Sequence, residues 1–163
     1  MKHLTLTIIF LICMSLNGAN ALENNPASKF GIAISSDAEK VAYSVNGNGK
    51  TTLMFIHGWS LDSRLGHYQI RYFSDEYQVI TIDLAGHGNS SFNRNEYTML
   101  AFANDIKAVI EKEGIDSAVL IGHSMAGGII AEAAKLMPNK VKGIIGVDTS
   151  QNVALKLSQV DLD

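Results

Sequence analysis

Cysteine is nearly absent from this chain of 163 residues: there is one, Cys13, and it lies in the apolar run near the N-terminus. If that run is removed as a leader, disulfides, thiolate nucleophiles and zinc–thiolate sites are all excluded. Only two prolines occur, with no low-complexity tract and no internal repeat, so nothing marks a linker and one domain accounts for the chain. Neither sign of charge prevails. Thirteen basic side chains face 16 acidic ones without a basic stripe, which excludes nucleic acid as a partner. The apolar run from Leu4 to Leu16 is too short to span a bilayer, so no stable membrane anchor is expected. Histidine is missing from the last quarter: the five are His3, His57, His67, His87 and His123.

What is present begins with an export signal. Met1-Lys2-His3 gives a charged start, the run to Leu16 an apolar core, and Ala19-Asn20-Ala21 a small-x-small cleavage site. Residues 1–21 therefore read as a secretory signal peptide cleaved near Ala21, leaving a periplasmic or secreted product. Ile12 is too large for the lipoprotein pattern that Cys13 would otherwise suggest. Leu22 to Lys29 is polar and reads as a mobile mature N-terminus.

Apolar runs then alternate with helical spacings. Val41–Val45, Thr52–Ile56, Val79–Ile82, Val119–Ile121 and Gly143–Val147 have strand character, and Asn46-Gly47-Asn48-Gly49 forms a turn after the first. Leu61–Tyr77 reads as a loop and a helix. Leu100, Ala103, Ile106, Val109 and Ile110 recur at helical spacing, with Gly114 placed to end the helix. The pattern predicts an α/β fold, a mostly parallel sheet with flanking helices.

The chemistry concentrates around Ser124. A buried strand runs into Gly122, His123, Ser124, Met125, Ala126, Gly127 and Gly128, and Ile129–Met137 reads as a helix halted by Pro138. A hydroxyl lifted clear of a sheet on so sharp a turn requires a strained backbone, at a cost of roughly 1–3 kcal/mol. The strand and helix nearly touch there, so the positions two before and two after the serine must be small. Gly122 and Ala126 fill them. The serine also stands at a helix N-terminus, where free N–H groups and the positive dipole end favour an oxyanion. A phosphate-binding loop is excluded because Gly128 stands where that motif needs its lysine.

With Gly122-His123-Ser124-Met125-Ala126 the chain resembles the α/β-hydrolase superfamily and its G-x-S-x-G nucleophile elbow, with alanine in place of the last glycine. Two further motifs follow the family's order. His57-Gly58-Trp59 closes the strand 52–56, and Asp83-Leu84-Ala85-Gly86-His87-Gly88-Asn89-Ser90 matches the family's D-x-x-G-x-G-x-S loop. The resemblance implies that Ser124 is the nucleophile of an esterase- or lipase-like enzyme, that the backbone N–H groups of Trp59 and Met125 form an oxyanion hole, and that His57, Gly58, Trp59 and His123 border the substrate pocket. His57 is expected to brace its loop, and the Asp83–Ser90 segment to serve structure and the pocket rim. No cofactor or metal is implied, and the expected partner is a small acyl substrate.

A serine hydroxyl needs a base. In this family the acid and the histidine follow the serine in the chain, and here no histidine does. His123 adjoins the serine and points away from it. Asp148, at the end of the last strand, is a candidate acid; the alternative is a turn-capping role. Gln151–Asp163 resembles the start of the family's lid, and two further βα units of about 30 residues each would complete the sheet. Residues 22–163 are therefore read as the N-terminal part of the domain, with lid, last strands and base lying further on. Two other readings stay open: a non-catalytic small-molecule-binding module on the same scaffold, and a cofactor-free haloperoxidase or carbon–carbon hydrolase.

Overall fold

The computed structural model describes residues 28–149. The expected leader, residues 1–21, and the expected start of the lid, residues 151–163, lie outside the described residues. Within them, six strands form one sheet: β1 (Lys29–Ile34), β2 (Lys40–Asn46), β3 (Thr52–Ile56), β4 (Gln78–Ile82), β5 (Ala118–His123) and β6 (Val141–Val147), in the spatial order β1-β2-β4-β3-β5-β6. The pairs β3/β4, β3/β5 and β5/β6 are parallel, whereas β1/β2 and β2/β4 are antiparallel. This is the mostly parallel α/β sheet expected. β2 and β3 follow each other across the Asn46–Gly49 turn yet do not pair, because β4 lies between them.

Alternation along the strands decides which face each helix covers. Met54 and Ile56 of β3, Ile80 and Ile82 of β4 and Leu120 of β5 point to one face, where they are buried against α2 (Met99–Lys112) and α3 (Ala126–Leu136). The intervening residues point the other way: Phe55 meets Phe73 of α1 (His67–Phe73) with ring centroids 6.2 Å apart. A short 3₁₀ turn, Ser63–Gly66, leads into α1.

The helix termini follow capping chemistry. Thr98 caps α2, its hydroxyl accepting from Ala101 N–H at 3.1 Å. At the other end Gly114 takes φ +63°, the Gly114 N–H donates to Glu111 and the Ile115 N–H donates to Ile110 at 3.0 Å. That pair of bonds is the left-handed glycine stop expected there. α3 begins three residues earlier than the apolar periodicity suggests, immediately behind Ser124 and Met125, since Ala126, Gly127 and Gly128 are helical.

The N-terminal edge departs from expectation. Lys29, read as the end of a mobile segment, opens β1, and its ammonium pairs with Glu113 beyond α2 at 2.8 Å. Glu113 also accepts from the Tyr43 hydroxyl, tying β1, β2 and the end of α2 together.

Candidate active site

The site is assembled at the C-terminal ends of three adjacent parallel strands, and the ladder fixes which residues meet. Ile56 of β3 pairs with Ile82 of β4 and Gly122 of β5. Continuing one residue sets His57 beside His123, and the next sets Gly58 beside Ser124. A methyl group built on Gly58 would lie 3.1 Å from Ser124 Cβ and 3.0 Å from His123 Nδ1. A side chain at this position would crowd both neighbours, so glycine lets these two turns approach closely.

Ser124 has φ +52°, one of four non-glycine residues in the left-handed region among those described, and it is exposed. Its N–H donates to the Val147 carbonyl at 3.0 Å, and its carbonyl accepts from Gly127 N–H in the first turn of α3. The crowding foreseen around this turn is present. Gly122 has no room for a methyl, which would sit 2.8 Å from the Ala126 carbonyl oxygen and 3.1 Å from Ala126 Cβ, and Ala126 itself is fully buried. Gly127 and Gly146 in turn make room for Thr149, which folds over the start of α3. Among the described residues, neither the Trp59 N–H nor the Met125 N–H donates a hydrogen bond.

His57 lies beneath this surface, 3% exposed, with both ring nitrogens engaged. Nε2 accepts from Leu84 N–H at 3.1 Å, so Nδ1 carries the proton and donates it to the Gly58 carbonyl at 2.8 Å. Burial pushes its pKa down, against the opposing pull of the Gly58 carbonyl, and the neighbouring His87 lowers it further. The ring braces the His57–Trp59 loop from below rather than lining an open pocket. His123 is half-buried, and its Nδ1 has no hydrogen-bond partner among the described residues.

Asp83 is buried and organises the loop after β4. One carboxylate oxygen accepts from Ser63 N–H at 2.7 Å, the other from Asn89 N–H at 2.9 Å. Gly88, at φ +52°, leaves the space the carboxylate fills. A second anchor went unread in the sequence. Arg94 reaches under the same loop to Asp105 of α2, with Nη2 2.6 Å from Oδ1, and to Asp37 at 2.6 Å. Asp105 is fully buried and also accepts from Ala85 N–H. Its position was a usable signal: three residues after Phe102 and four before Val109, it falls on the apolar face of α2.

Trp59 is 63% exposed and stands edge-on to His87, ring centroids 5.6 Å apart. Together with Ser60, Gly86, His87, Phe92 and Tyr97 it lines a cleft of about 330 Å³. Ser124 lies outside this lining. Asp148, exposed and at φ +49°, directly follows Val147, whose carbonyl holds the Ser124 N–H, so both residues occupy the same end of the sheet. Among the described residues no group of three or more His, Cys, Asp or Glu side chains is arranged to hold a metal ion, and no helix is long and apolar enough to cross a membrane.

A sheet of this order, with tight turns at the ends of β3 and β5, defines an α/β protein of hydrolase type. The chain belongs to the alpha/beta hydrolase fold family, whose model matches residues 51–162. It is 33% identical over 108 residues to the dihydrolipoyllysine-residue acetyltransferase component of the acetoin cleaving system of Cupriavidus necator, an alignment covering 66% of this chain and 29% of that protein. It is 36% identical over 98 residues to a putative esterase/lipase of Haemophilus influenzae, covering 60% and 34%. The esterase RhEst1 from Rhodococcus sp. ECU1013 superposes with a TM-score of 0.69 at 32% identity, covering 74% of this chain and 46% of that one. The chain thus spans about a third of the length of these curated relatives and under half of the solved enzyme. Esterases and related hydrolases of this fold are its relatives.

Proposed function

We propose that this chain carries the nucleophile and oxyanion hole of an exported serine hydrolase acting on small carboxylic esters. One observation carries the reading: an exposed serine, held at φ +52° where the first turn of a helix begins, lies against a glycine whose neighbour has an unused amide. The left-handed backbone costs roughly 1–3 kcal/mol, and such strain persists only where surrounding packing imposes it.

In this mechanism Ser124 Oγ attacks the acyl carbonyl while a base takes its proton. The N–H groups of Trp59 and Met125 hold the resulting oxyanion, collapse expels the alcohol, and water releases the acid by the reverse sequence. The base is a histidine supplied by sequence beyond residue 163; Asp148 is the candidate acid that orients it. The partner is a small acyl ester, with neither nucleic acid nor a metal involved, and the leader 1–21 delivers the enzyme outside the cytoplasm.

The test is Ser124→Ala in the protein extended through its C-terminal βα units. Hydrolysis of 4-nitrophenyl acetate is expected to fall by about three orders of magnitude or more with the circular dichroism unchanged. Persistent activity would exclude Ser124.

A second reading, a non-catalytic binding module, draws on the histidines: no imidazole among the described residues hydrogen-bonds to Ser124, and His57 is fully committed. The 163-residue chain should accordingly react slowly with a fluorophosphonate probe. If the extended protein also fails to label, the binding module is the better account. Haloperoxidase and carbon–carbon hydrolase chemistries keep the serine-type site and are separated from ester hydrolysis by product analysis.

A further inference from the structure

We infer that the cleft beside Trp59 selects the substrate, and that it takes one uncharged aromatic ring. The inference rests on the ester-hydrolase reading for its link to catalysis: the residue whose amide faces the reacting carbonyl also contributes its indole to the cleft wall.

The floor of the cleft is already built of rings. His87 lies 5.6 Å from Trp59 and 6.2 Å from Phe102, and Tyr97 lies 5.9 Å from Phe102, all as centroid distances. Phe92 on the rim is 78% exposed and, among the described residues, pairs with no other ring. A volume of about 330 Å³ lies at the small end of the range for small-molecule sites, roughly 300–1,000 Å³, which suits a single ring better than a long acyl chain. Rings offered edges and faces at these separations favour another ring over an alkyl group.

Charge is excluded by the surroundings. The lining holds no Asp, Glu, Lys or Arg. Of the ions nearby, Arg94 is paired with Asp37 and Asp105, Asp62 with Arg64, and Asp83 accepts from the amides of Ser63 and Asn89. A carboxylate or ammonium on the ligand would meet no Asp, Glu, Lys or Arg in the lining, so its charge gains no ion pair there.

Trp59 is the only tryptophan in these 163 residues, and the part of the emission that the Trp59→Phe variant lacks reports on the cleft. The experiment titrates the extended protein with benzyl alcohol, benzoate, benzylamine and hexan-1-ol, following emission and subtracting the Trp59→Phe variant as background. Benzyl alcohol should give a saturable change, with the two charged rings and the linear alcohol each binding about tenfold more weakly or worse. Phe92→Ala, at an exposed position and checked by circular dichroism, should weaken benzyl alcohol about fivefold, equivalent to ~1 kcal/mol. Ser124→Ala should leave binding intact, so loss of the hydrolase reading and loss of this one are separately visible. No saturable response to benzyl alcohol, equal affinity for the charged or linear ligands, or an unaltered Phe92→Ala titration would each overturn the inference.

Discussion

The space on Gly122 where a side chain would begin is occupied by Ala126: its carbonyl oxygen lies 2.8 Å, its carbonyl carbon 2.9 Å and its Cβ 3.1 Å from a methyl built there. Two of these three contacts are backbone. Gly122→Ala should therefore cost about 1–3 kcal/mol of stability by overpacking. Adding Ala126→Gly should fail to restore it, because only the Cβ contact is removed. Urea denaturation of the single and double variants decides; full rescue would show that the crowding is a side-chain effect.

Gly58 faces the same turn from the other side. A methyl there would press on His123 Nδ1 at 3.0 Å and Ser124 Cβ at 3.1 Å, pushing the His57–Trp59 loop away from Ser124. The expected consequence for Gly58→Ala is a fall in kcat of about tenfold or more, equivalent to ~1.4 kcal/mol of lost transition-state stabilisation, with KM little changed. Steady-state kinetics on a short acyl ester would reveal it. An unchanged kcat would mean that the loop's amide takes no part.

Arg94 and Asp105 form an ion pair shut off from solvent, 3% and 0% exposed. Arg94→Met leaves the carboxylate buried without its partner, a loss of about 3–5 kcal/mol. Adding Asp105→Asn removes the stranded charge and keeps an acceptor for Ala85 N–H, so most of the loss should be recovered. Chemical denaturation of both variants measures the difference.

His57 predicts an acid limit. Its folded-state pKa lies below the ordinary value of 6.5, chiefly through burial. Between the two values the unfolded chain binds the extra proton and the folded one does not. Stability contributed by the neutral ring is therefore complete above about 6.5 and declines as pH falls below it, by up to about 1.4 kcal/mol per pH unit until the folded ring protonates. His57→Gln offers Leu84 N–H an acceptor that does not titrate. Thermal melts from pH 7.5 to 5 should flatten in that variant relative to the parent.

The parts that could be read from the sequence were those whose reason is local. A serine turn between strand and helix demands small neighbours, and Gly122 and Ala126 sit where that demand falls. The apolar spacing of α2 and the glycine behind it needed only period and capping. β1 escaped because its pattern is inverted: Phe30, Ile32 and Ile34 face solvent while the small Ala33 faces the core. The pairing of β2 with β4 was equally hidden, since adjacency in the chain favours β3 and only the assembled sheet sets β4 between them. The bracing of Leu84 by His57 joins two strands whose register no single segment carries.

Two neighbouring strands finish alike. β5 and β6 stay paired up to His123 and Val147, and the next residue on each, Ser124 and Asp148, turns into the left-handed region. The bond from Ser124 N–H to Val147 locks the bends together, so neither can move alone. Lengthening or shortening the short connection between α3 and β6 would shift β6 along its neighbour, and the cost would appear as a misplaced hydroxyl about three turns of helix away. This joint makes a distant loop length part of the tolerance of residue 124.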